Sequence, residues 1–272
     1  MMPVLKERMS VMNIIEFKDV IWQRNHKTIL NEVNWAVKPG EHWTILGLNG
    51  SGKTSLLNMV NGYAWPTKGT ISVLGETFGQ TNIHALRKRI GWVSSSLQSR
   101  IAGHTRIEDI VISGKFASTG MYDEPTEADY AFADELIEQL NISYLKGRHY
   151  VTCSQGEQQK ILIARGLMAK PEILILDEPT NGLDFLSREE LMRTISNLAL
   201  KEQALTLIFV THHIEEILPM FTHSLLLKKG QVFAKGDRKE MLTSEHLTKF
   251  FDVGVQVNWS QDRAWLHLED ES

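Results

Sequence analysis

The chain has 272 residues, which is enough for one large domain or two small ones with a proper hydrophobic core. Its formal net charge of −4 gives no indication of nucleic-acid binding, and its single cysteine, Cys153, excludes an intrachain disulfide and is typical of the reducing cytosol. No apolar run approaches the roughly 18 residues that cross a bilayer. Residues 1–12 lack the apolar stretch of a signal peptide, so we expect a cytoplasmic chain without direct membrane insertion.

The first patterned segments predict a β-hairpin followed by a third strand. Residues 14–20 and 29–37 have strand character, and the polar residues 23–27 between them favour a hairpin connection. A Pro-Gly pair at 39–40 marks a turn into residues 42–46, which have the apolar character of a short buried strand.

Residues 47–54 form a complete phosphate-binding pattern, G-x-x-x-x-G-K-T, between that strand and an amphipathic helix predicted over residues 53–60. Glycines let successive backbone N–H groups surround a phosphate chain, Lys53 reaches the β- and γ-phosphates, and the Thr54 hydroxyl ligates Mg²⁺. The positive end of the helix dipole faces the same phosphates. The pattern therefore predicts a nucleoside triphosphate site. The residues predicted to contact the nucleotide here are Gly47, Asn49, Gly50, Ser51, Gly52, Lys53, Thr54 and Ser55.

Short, almost wholly apolar strands then alternate with helices. Strands are predicted at residues 70–74, 90–93, 173–176 and 206–210, and helices over much of 105–140 and over 187–200. Such alternation indicates an α/β fold with a parallel sheet covered on both faces, into which residues 105–140 are inserted as a helical segment. The tail predicts a hairpin at residues 229–230, a helix over 238–251 and two strands around 261–262.

Two acids follow the apolar strand at residues 173–176. Ligands of open α/β sheets bind beyond the carboxyl ends of the strands, so Asp177 and Glu178 are expected beside the phosphate loop. Asp177 is suited to hold Mg²⁺, and Glu178 is suited to polarise the attacking water as a general base.

Three further blocks resemble the ATP-binding-cassette (ABC) ATPases. Residues 153–160 read C-S-Q-G-E-Q-Q-K, which is similar to the family's L-S-G-G-Q signature in its S-x-G-E variant. Residues 177–184 read D-E-P-T-N-G-L-D, and residues 211–213 read T-H-H. The blocks occur in the family's order, and the resemblance covers residues 13–240.

The resemblance implies a P-loop NTPase (RecA-like) core with an antiparallel β subdomain and an inserted α-helical subdomain at about residues 95–155, followed by a C-terminal extension at 241–272. It also implies a head-to-tail homodimer in the ATP-bound state, in which each site combines the phosphate loop of one chain with the signature of the other. The signature residues implied to contact ATP of the opposite chain are Ser154, Gly156 and Glu157. Asp184 resembles the aspartate that couples the two sites, and His212 resembles the switch histidine that contacts the γ-phosphate.

Three positions depart from the family pattern. Cys153 stands where leucine is usual, and an apolar filling role is expected for it. The aromatic residue that stacks on adenine falls near Arg24, so either the Arg24 guanidinium or a shifted Trp22 is expected to take that place. The glutamine expected after Val93 is also missing. We expect Gln98 to supply the Mg²⁺ contact instead, with the alternative that Ser95 acts through a bridging water.

The sequence thus predicts a Mg²⁺-dependent ATPase that energises transport through separate integral membrane permease subunits, peripheral on the inner face of the membrane. Residues 106–116 resemble metal and siderophore importer cassettes. The alternative is a soluble ABC ATPase with a regulatory or mechanical role and no transporter, because residues 93–95 resemble some soluble molybdenum-related members.

Overall fold

The computed structural model describes residues 13–79, 82–116, 124–202 and 204–269, so the N-terminal segment predicted to lack a signal peptide lies outside the described residues. The strands are β1 (Ile15–Arg24), β2 (Lys27–Val37), β3 (Trp43–Leu46), β4 (Lys68–Val73), β5 (Glu76–Thr77), β6 (Ile90–Ser94), β7 (Ile173–Asp177), β8 (Thr206–Thr211), β9 (His223–Lys228), β10 (Gln231–Asp237), β11 (Val255–Ser260) and β12 (Arg263–Leu268). The helices are α1 (Lys53–Val60), α2 (Ile83–Lys88), α3 (Ser95–Gln98), α4 (Ile107–Ser113), α5 (Glu127–Gln139), α6 (Gln155–Leu167), α7 (Phe185–Lys201), α8 (Arg238–Met241) and α9 (Ser244–Phe251). Among these residues, no helix is both long and apolar enough to span a membrane.

The chain forms two compact units, one that ends at Leu86 and resumes at Thr211, and one that comprises Arg87–Val210. In the first unit, an antiparallel sheet has the strand order β2-β1-β4-β5, as the sequence predicted for an antiparallel β subdomain. Asn25 and His26 connect β1 to β2 with φ of 51° and 59°, the left-handed conformations that a two-residue hairpin turn requires.

The first unit also contains β3, β9 and β10, which pair with one another. β3 pairs in parallel with β9, and β9 pairs with β10 as the predicted hairpin. Trp35 packs against both Phe17 and Trp43, with ring centroids 5.9 Å apart in each pair, and all three are buried. These aromatic rings give β3 a rigid support, and the phosphate-binding loop follows directly from its end.

The tail corrects one prediction. A single helix was expected over residues 238–251, but the structure has two, α8 and α9, separated at Leu242 and Thr243. The Thr243 hydroxyl accepts a hydrogen bond from the backbone N–H of His246 at 3.2 Å, so it starts a new helix at the point where the first one ends. The strands predicted around residues 261–262 are present as the β11–β12 hairpin.

In the second unit, β6, β7 and β8 run parallel and in register. Four consecutive apolar residues of β7 are fully buried, which is the pattern of a strand covered on both faces. The predicted helical segment is present as α4 and α5, which pack on α6. Residues 159–167 of α6 are all buried, so this helix is the centre of the unit.

Candidate functional site

The phosphate-binding loop in the first unit is a tight turn that requires glycine at specific positions. A Cβ atom at Gly47 would lie 2.4 Å from Ser51 Oγ and 2.8 Å from the Leu227 carbonyl, which is too close for any side chain. Gly52 has φ of 106°, and a Cβ atom there would lie 2.9 Å from Leu30 Cδ2. The loop is also held by the backbone N–H of Gly230, which donates to the Ser51 carbonyl at 2.8 Å.

Helix α1 begins at Lys53, and its N-terminus is prepared for an anion. The first turn contains no acidic residue, and no side chain caps it, so nothing in this turn neutralises the positive end of the helix dipole. Lys53 is buried, with only 6% of the residue exposed, and its ammonium donates to the carbonyl oxygens of Gly47 at 2.7 Å and Leu48 at 3.4 Å. Asn49 and Thr54 are exposed on either side of it.

The structure places the predicted contact residues of this loop on one continuous turn. They are Gly47, Asn49, Gly50, Ser51, Gly52, Lys53, Thr54 and Ser55. A cavity of about 180 Å³ lies beside the loop, where Leu48 and Gly50 face Phe250 and Asp252 from the C-terminal part of the chain. The region beyond residue 240, predicted to be an extension, therefore packs within the same unit as the loop.

The histidine pair comes directly after β8 and lies in the first unit. The rings of His212 and His213 lie 4.1 Å apart between centroids. The backbone N–H of His213 donates to the Thr211 hydroxyl at 2.9 Å, and its ring faces the Glu215 carboxylate at 3.6 Å. Because Glu215 engages the ring of His213, the geometry is compatible with the preference for His212 as the switch residue, which stays a prediction.

Arg24 is exposed at the end of β1, opposite Lys27 of β2. Trp22 is half-buried on the same strand and pairs with Leu30. Both side chains reach the solvent, so the structure does not decide between Arg24 and Trp22 for the adenine contact. That role stays a prediction.

The acid pair lies in the second unit, at the end of β7. Glu178 has φ of 50°, a strained conformation for a residue other than glycine, and its backbone N–H donates to the Val210 carbonyl at 3.0 Å. Its carboxylate accepts a hydrogen bond from the side-chain amide of Asn181 at 3.0 Å. Asn181 was missed as a site residue in the sequence analysis. Its place three residues after Glu178, within a turn, was the only available signal.

The signature residues begin α6 with a complete capping box. The Ser154 hydroxyl accepts from the backbone N–H of Glu157 at 3.3 Å, and the Glu157 carboxylate accepts from the backbone N–H of Ser154 at 2.6 Å and from the Tyr144 hydroxyl at 3.0 Å. Burial acts to raise the pKa of Glu157, but these hydrogen bonds outweigh it and hold that pKa below the ordinary value. Burial and the neighbouring Glu157 raise the pKa of Tyr144 to about 12. The structure thus gives Glu157 a capping role, and its predicted contact with ATP stays a prediction.

Ser154 is exposed at the start of α6, and Gly156 is buried behind it. Cys153 is also buried, and burial raises the pKa of its thiol, so a neutral apolar filler describes it well.

A hydrogen bond joins the signature to the loop of residues 177–184. The side-chain amide of Gln155 donates to the Asn181 carbonyl at 3.0 Å.

Asp184 caps α7, where it accepts from the backbone N–H of Ser187 at 3.0 Å and from the Ser187 hydroxyl at 2.9 Å. These hydrogen bonds hold the pKa of Asp184 below its ordinary value.

Gln98 ends the single-turn helix α3, and its amide is bonded to α6. Its Nε2 donates to Gln158 Oε1 at 3.1 Å, and its Oε1 accepts from Gln159 Nε2 at 3.3 Å. The predicted role of Gln98 as a Mg²⁺ ligand stays a prediction, and the structure adds a second set of partners for the same amide. Ser95 is exposed at the start of α3.

Comparisons with known proteins place these features in context. Residues 30–181 match the protein family described as ABC transporter, a span that includes the phosphate loop, the signature and the acid pair. Bacillus subtilis YlmA, described as an uncharacterized ABC transporter ATP-binding protein, is 48% identical over 254 residues, which are 93% of this chain and 96% of YlmA. The molybdate import ATP-binding protein MolC of Haemophilus influenzae is 30% identical over 225 residues, 83% of this chain and 82% of MolC. The structure of Clostridium perfringens cbiO1, part of the ABC transporter complex cbiONQ, superposes with a TM-score of 0.76 at 26% identity, over 87% of this chain and 93% of cbiO1.

Proposed function

Because the chain belongs to the ABC transporter family, as an ATP-binding and ATP-hydrolysing subunit, we propose that it works as a head-to-tail homodimer. Each ATP is then held by the phosphate loop of one chain and the signature of the other. One observation carries the proposal: the exposed Ser154 begins α6, so the start of this helix is open to a second chain.

The phosphate loop supplies the nucleotide contacts. Backbone N–H groups between Gly47 and Ser55 surround the phosphates, and the Lys53 ammonium exchanges the carbonyls of Gly47 and Leu48 for phosphate oxygens. The adenine ring is contacted by the guanidinium plane of Arg24 or by Trp22, two residues before it.

The residues present fit a magnesium ion. Mg²⁺ in nucleotide sites is held by one or two protein oxygen ligands together with phosphate oxygens and waters. The Thr54 hydroxyl is exposed in the first turn of α1, and Asp177 ends β7, so each offers the oxygen ligand that this ion prefers. When bound, the ion neutralises the charge that develops on the phosphates. The described residues contain no cluster of three or more His, Cys, Asp or Glu side chains, and such a magnesium site does not need one.

Glu178 accepts the proton of the attacking water, and Asn181 orients its carboxylate. His212 contacts the γ-phosphate. Asp184 lies two residues beyond the glycine of the same loop, and it couples the two sites of the dimer.

The dimer energises transport through integral membrane permease subunits, at the cytoplasmic face of the membrane. The names of MolC and cbiO1 support this part of the proposal, because both are parts of transport systems. Purification of a tagged chain from membranes, with mass spectrometry of the co-purified proteins, tests it. Recovery of a polytopic membrane protein is expected, and its reproducible absence would favour the soluble alternative.

Mixing of two inactive variants tests the shared sites. A Lys53→Ala chain and a Ser154→Ala chain are each expected to hydrolyse ATP poorly as homodimers. Their heterodimer has one site with both lesions and one site with neither, so partial activity is expected to return. Lys38→Ala, an exposed lysine just after β2, serves as the control. If isolated heterodimers stay inactive, the shared-site arrangement is wrong for this chain.

A further inference from the structure

Three glutamine side chains in the second unit form a continuous amide network. Gln98 is bonded through both of its polar atoms, to Gln158 at 3.1 Å and to Gln159 at 3.3 Å. Gln98 and Gln158 are half-buried and Gln159 is buried, so water competes only partly for these bonds. The network joins the segment after β6 to the first two turns of α6.

The network continues to the backbone that carries Ser154. The side-chain amide of Gln158 also donates to the carbonyl of Tyr150 at 3.1 Å and to the carbonyl of Cys153 at 3.2 Å. Cys153 immediately precedes Ser154, so a displacement of Gln98 is transmitted through one side chain to the peptide next to the signature serine. If the Gln158 side chain moves with α3, it cannot keep its hydrogen bonds to the carbonyls of both Tyr150 and Cys153.

We propose that Gln98 is a positioning residue for the signature, which acts on the ATP bound to the phosphate loop of the partner chain. The proposal rests on the head-to-tail dimer proposed above. A Mg²⁺ ligand would act on the ATP bound to the phosphate loop of its own chain. As a positioning residue, Gln98 acts instead on the ATP bound to the phosphate loop of the partner.

One acceptor of the network has no donor. The side-chain oxygen of Gln159 is buried and has no hydrogen-bond donor among the described residues. An unsatisfied buried acceptor is costly, so the hydrogen bond that Gln159 donates to Gln98 is the one link, among these residues, by which its amide is held.

Heterodimers in which only one site works distinguish the two assignments. Lys53→Ala disables one phosphate loop, so the surviving site combines the phosphate loop of the other chain with the signature of the Lys53→Ala chain. In the first arrangement, Gln98→Met is placed on the Lys53→Ala chain, next to the working signature. In the second arrangement, it is placed on the other chain, next to the working phosphate loop. Two different affinity tags isolate each heterodimer.

The first arrangement is expected to lower kcat about tenfold with the KM for ATP unchanged, and the second is expected to leave both values as in the Lys53→Ala and wild-type heterodimer. Gln158→Met, in the same two arrangements, is expected to reproduce this asymmetry. Gln256→Met, on the exposed surface of β11, is the matched control and is expected to change nothing in either arrangement. A loss confined to the second arrangement, an equal loss in both, or no loss in either would overturn the proposal.

A measurement without dimers keeps the proposal separate from the proposed function. Hydrogen exchange of the Lys53→Ala chain, at a concentration where it is monomeric, reports on the signature turn directly. Gln98→Met is expected to speed exchange of the backbone N–H of Glu157 at least fivefold, while the N–H groups of β11 are unchanged. Unchanged exchange at Glu157 would overturn the positioning role. Faster exchange at Glu157 in Gln98→Met, together with an inactive reference heterodimer, would instead refute only the shared-site arrangement.

Discussion

Replacement of Ser154 by alanine is expected to remove most ATP hydrolysis while costing little stability. The structure separates the two effects, because the capping box at α6 has two halves. The substitution removes the bond from the Glu157 N–H to the serine hydroxyl. It leaves the bond from the backbone N–H of residue 154 to the Glu157 carboxylate, which is the shorter of the two at 2.6 Å.

The expected loss of stability follows from this geometry. Loss of a capping side chain costs about 0.5–2 kcal/mol, and because half of the capping box remains we expect about 1 kcal/mol. A domain with a free energy of unfolding of about 5 kcal/mol would still be about 99.9% folded at 25 °C. The melting temperature is expected to fall by about 2–4 °C. Unfolding therefore explains no measurable fraction of a lost activity.

The assay compares thermal unfolding with ATP turnover at 25 °C for the wild type and two variants. Ser154→Ala is expected to lose more than about tenfold in kcat, because the oxygen proposed to contact the γ-phosphate is missing in the transition state. Ser154→Thr keeps a hydroxyl for the cap, so its melting temperature is expected to match the wild type. If Ser154→Ala hydrolyses ATP within twofold of the wild type while its melting temperature falls, Ser154 only caps the helix, and the reasoning for a shared site is refuted.

Three other variants test separate parts of the structure. Glu178→Gln is expected to lower turnover by about 10²–10⁴-fold and to accumulate an ATP-bound dimer on size-exclusion chromatography, whereas Glu172→Gln, at the other end of the same strand, keeps normal turnover; near-normal turnover of Glu178→Gln would exclude a general-base role. Gly91→Ala brings a Cβ atom within 2.6 Å of the Gly166 carbonyl, so thermal unfolding is expected to show a loss of about 1–3 kcal/mol, and an unchanged melting temperature would mean that the two backbones separate freely. Glu157→Gln tests the lowered pKa of this carboxyl. Its charged form stabilises the native state above about pH 4.5, and that contribution is lost as the pH falls through the lowered native pKa. The melting temperature of the variant is therefore expected to lie below that of the wild type at pH 7, and this difference should close in acid. A gap that widens in acid would contradict the assigned direction.

The phosphate loop was predictable in detail because its chemistry is local. Gly52 has a positive φ within the turn, Gly47 lies against the Ser51 side chain four residues later, and Lys53 bonds to carbonyls five and six residues before it. The buried strands were predictable for a similar reason, since the apolar run of β7 needs no distant partner to be recognised. The family resemblance then extended this local information to the fold, which the structural and sequence comparisons confirm.

The contacts of Gln98 could not be predicted in the same way. Its partners lie 60 and 61 residues further along the chain, and an amide side chain carries no signal of which distant amide it will meet. The break between α8 and α9 was missed for a local reason. Residues 238–251 have enough apolar periodicity for one helix, and the hydrogen bond made by the Thr243 hydroxyl outweighs that pattern.

The hydrogen bonds around Asn181 bear on how the two ATP sites of a dimer depend on each other. Asn181 donates its side-chain amide to Glu178, the proposed base for the ATP of its own chain. Its carbonyl accepts from Gln155, next to Ser154, the serine proposed to contact the ATP of the partner. One residue is thus bonded both to the proposed catalytic group of one site and to the signature of the other. A change in the carboxylate of Glu178 during hydrolysis alters the environment of Asn181, and the same residue fixes the start of α6. In the head-to-tail dimer that we propose, Asn181 would therefore link hydrolysis at one site to the hold on the second ATP, without a separate signalling element.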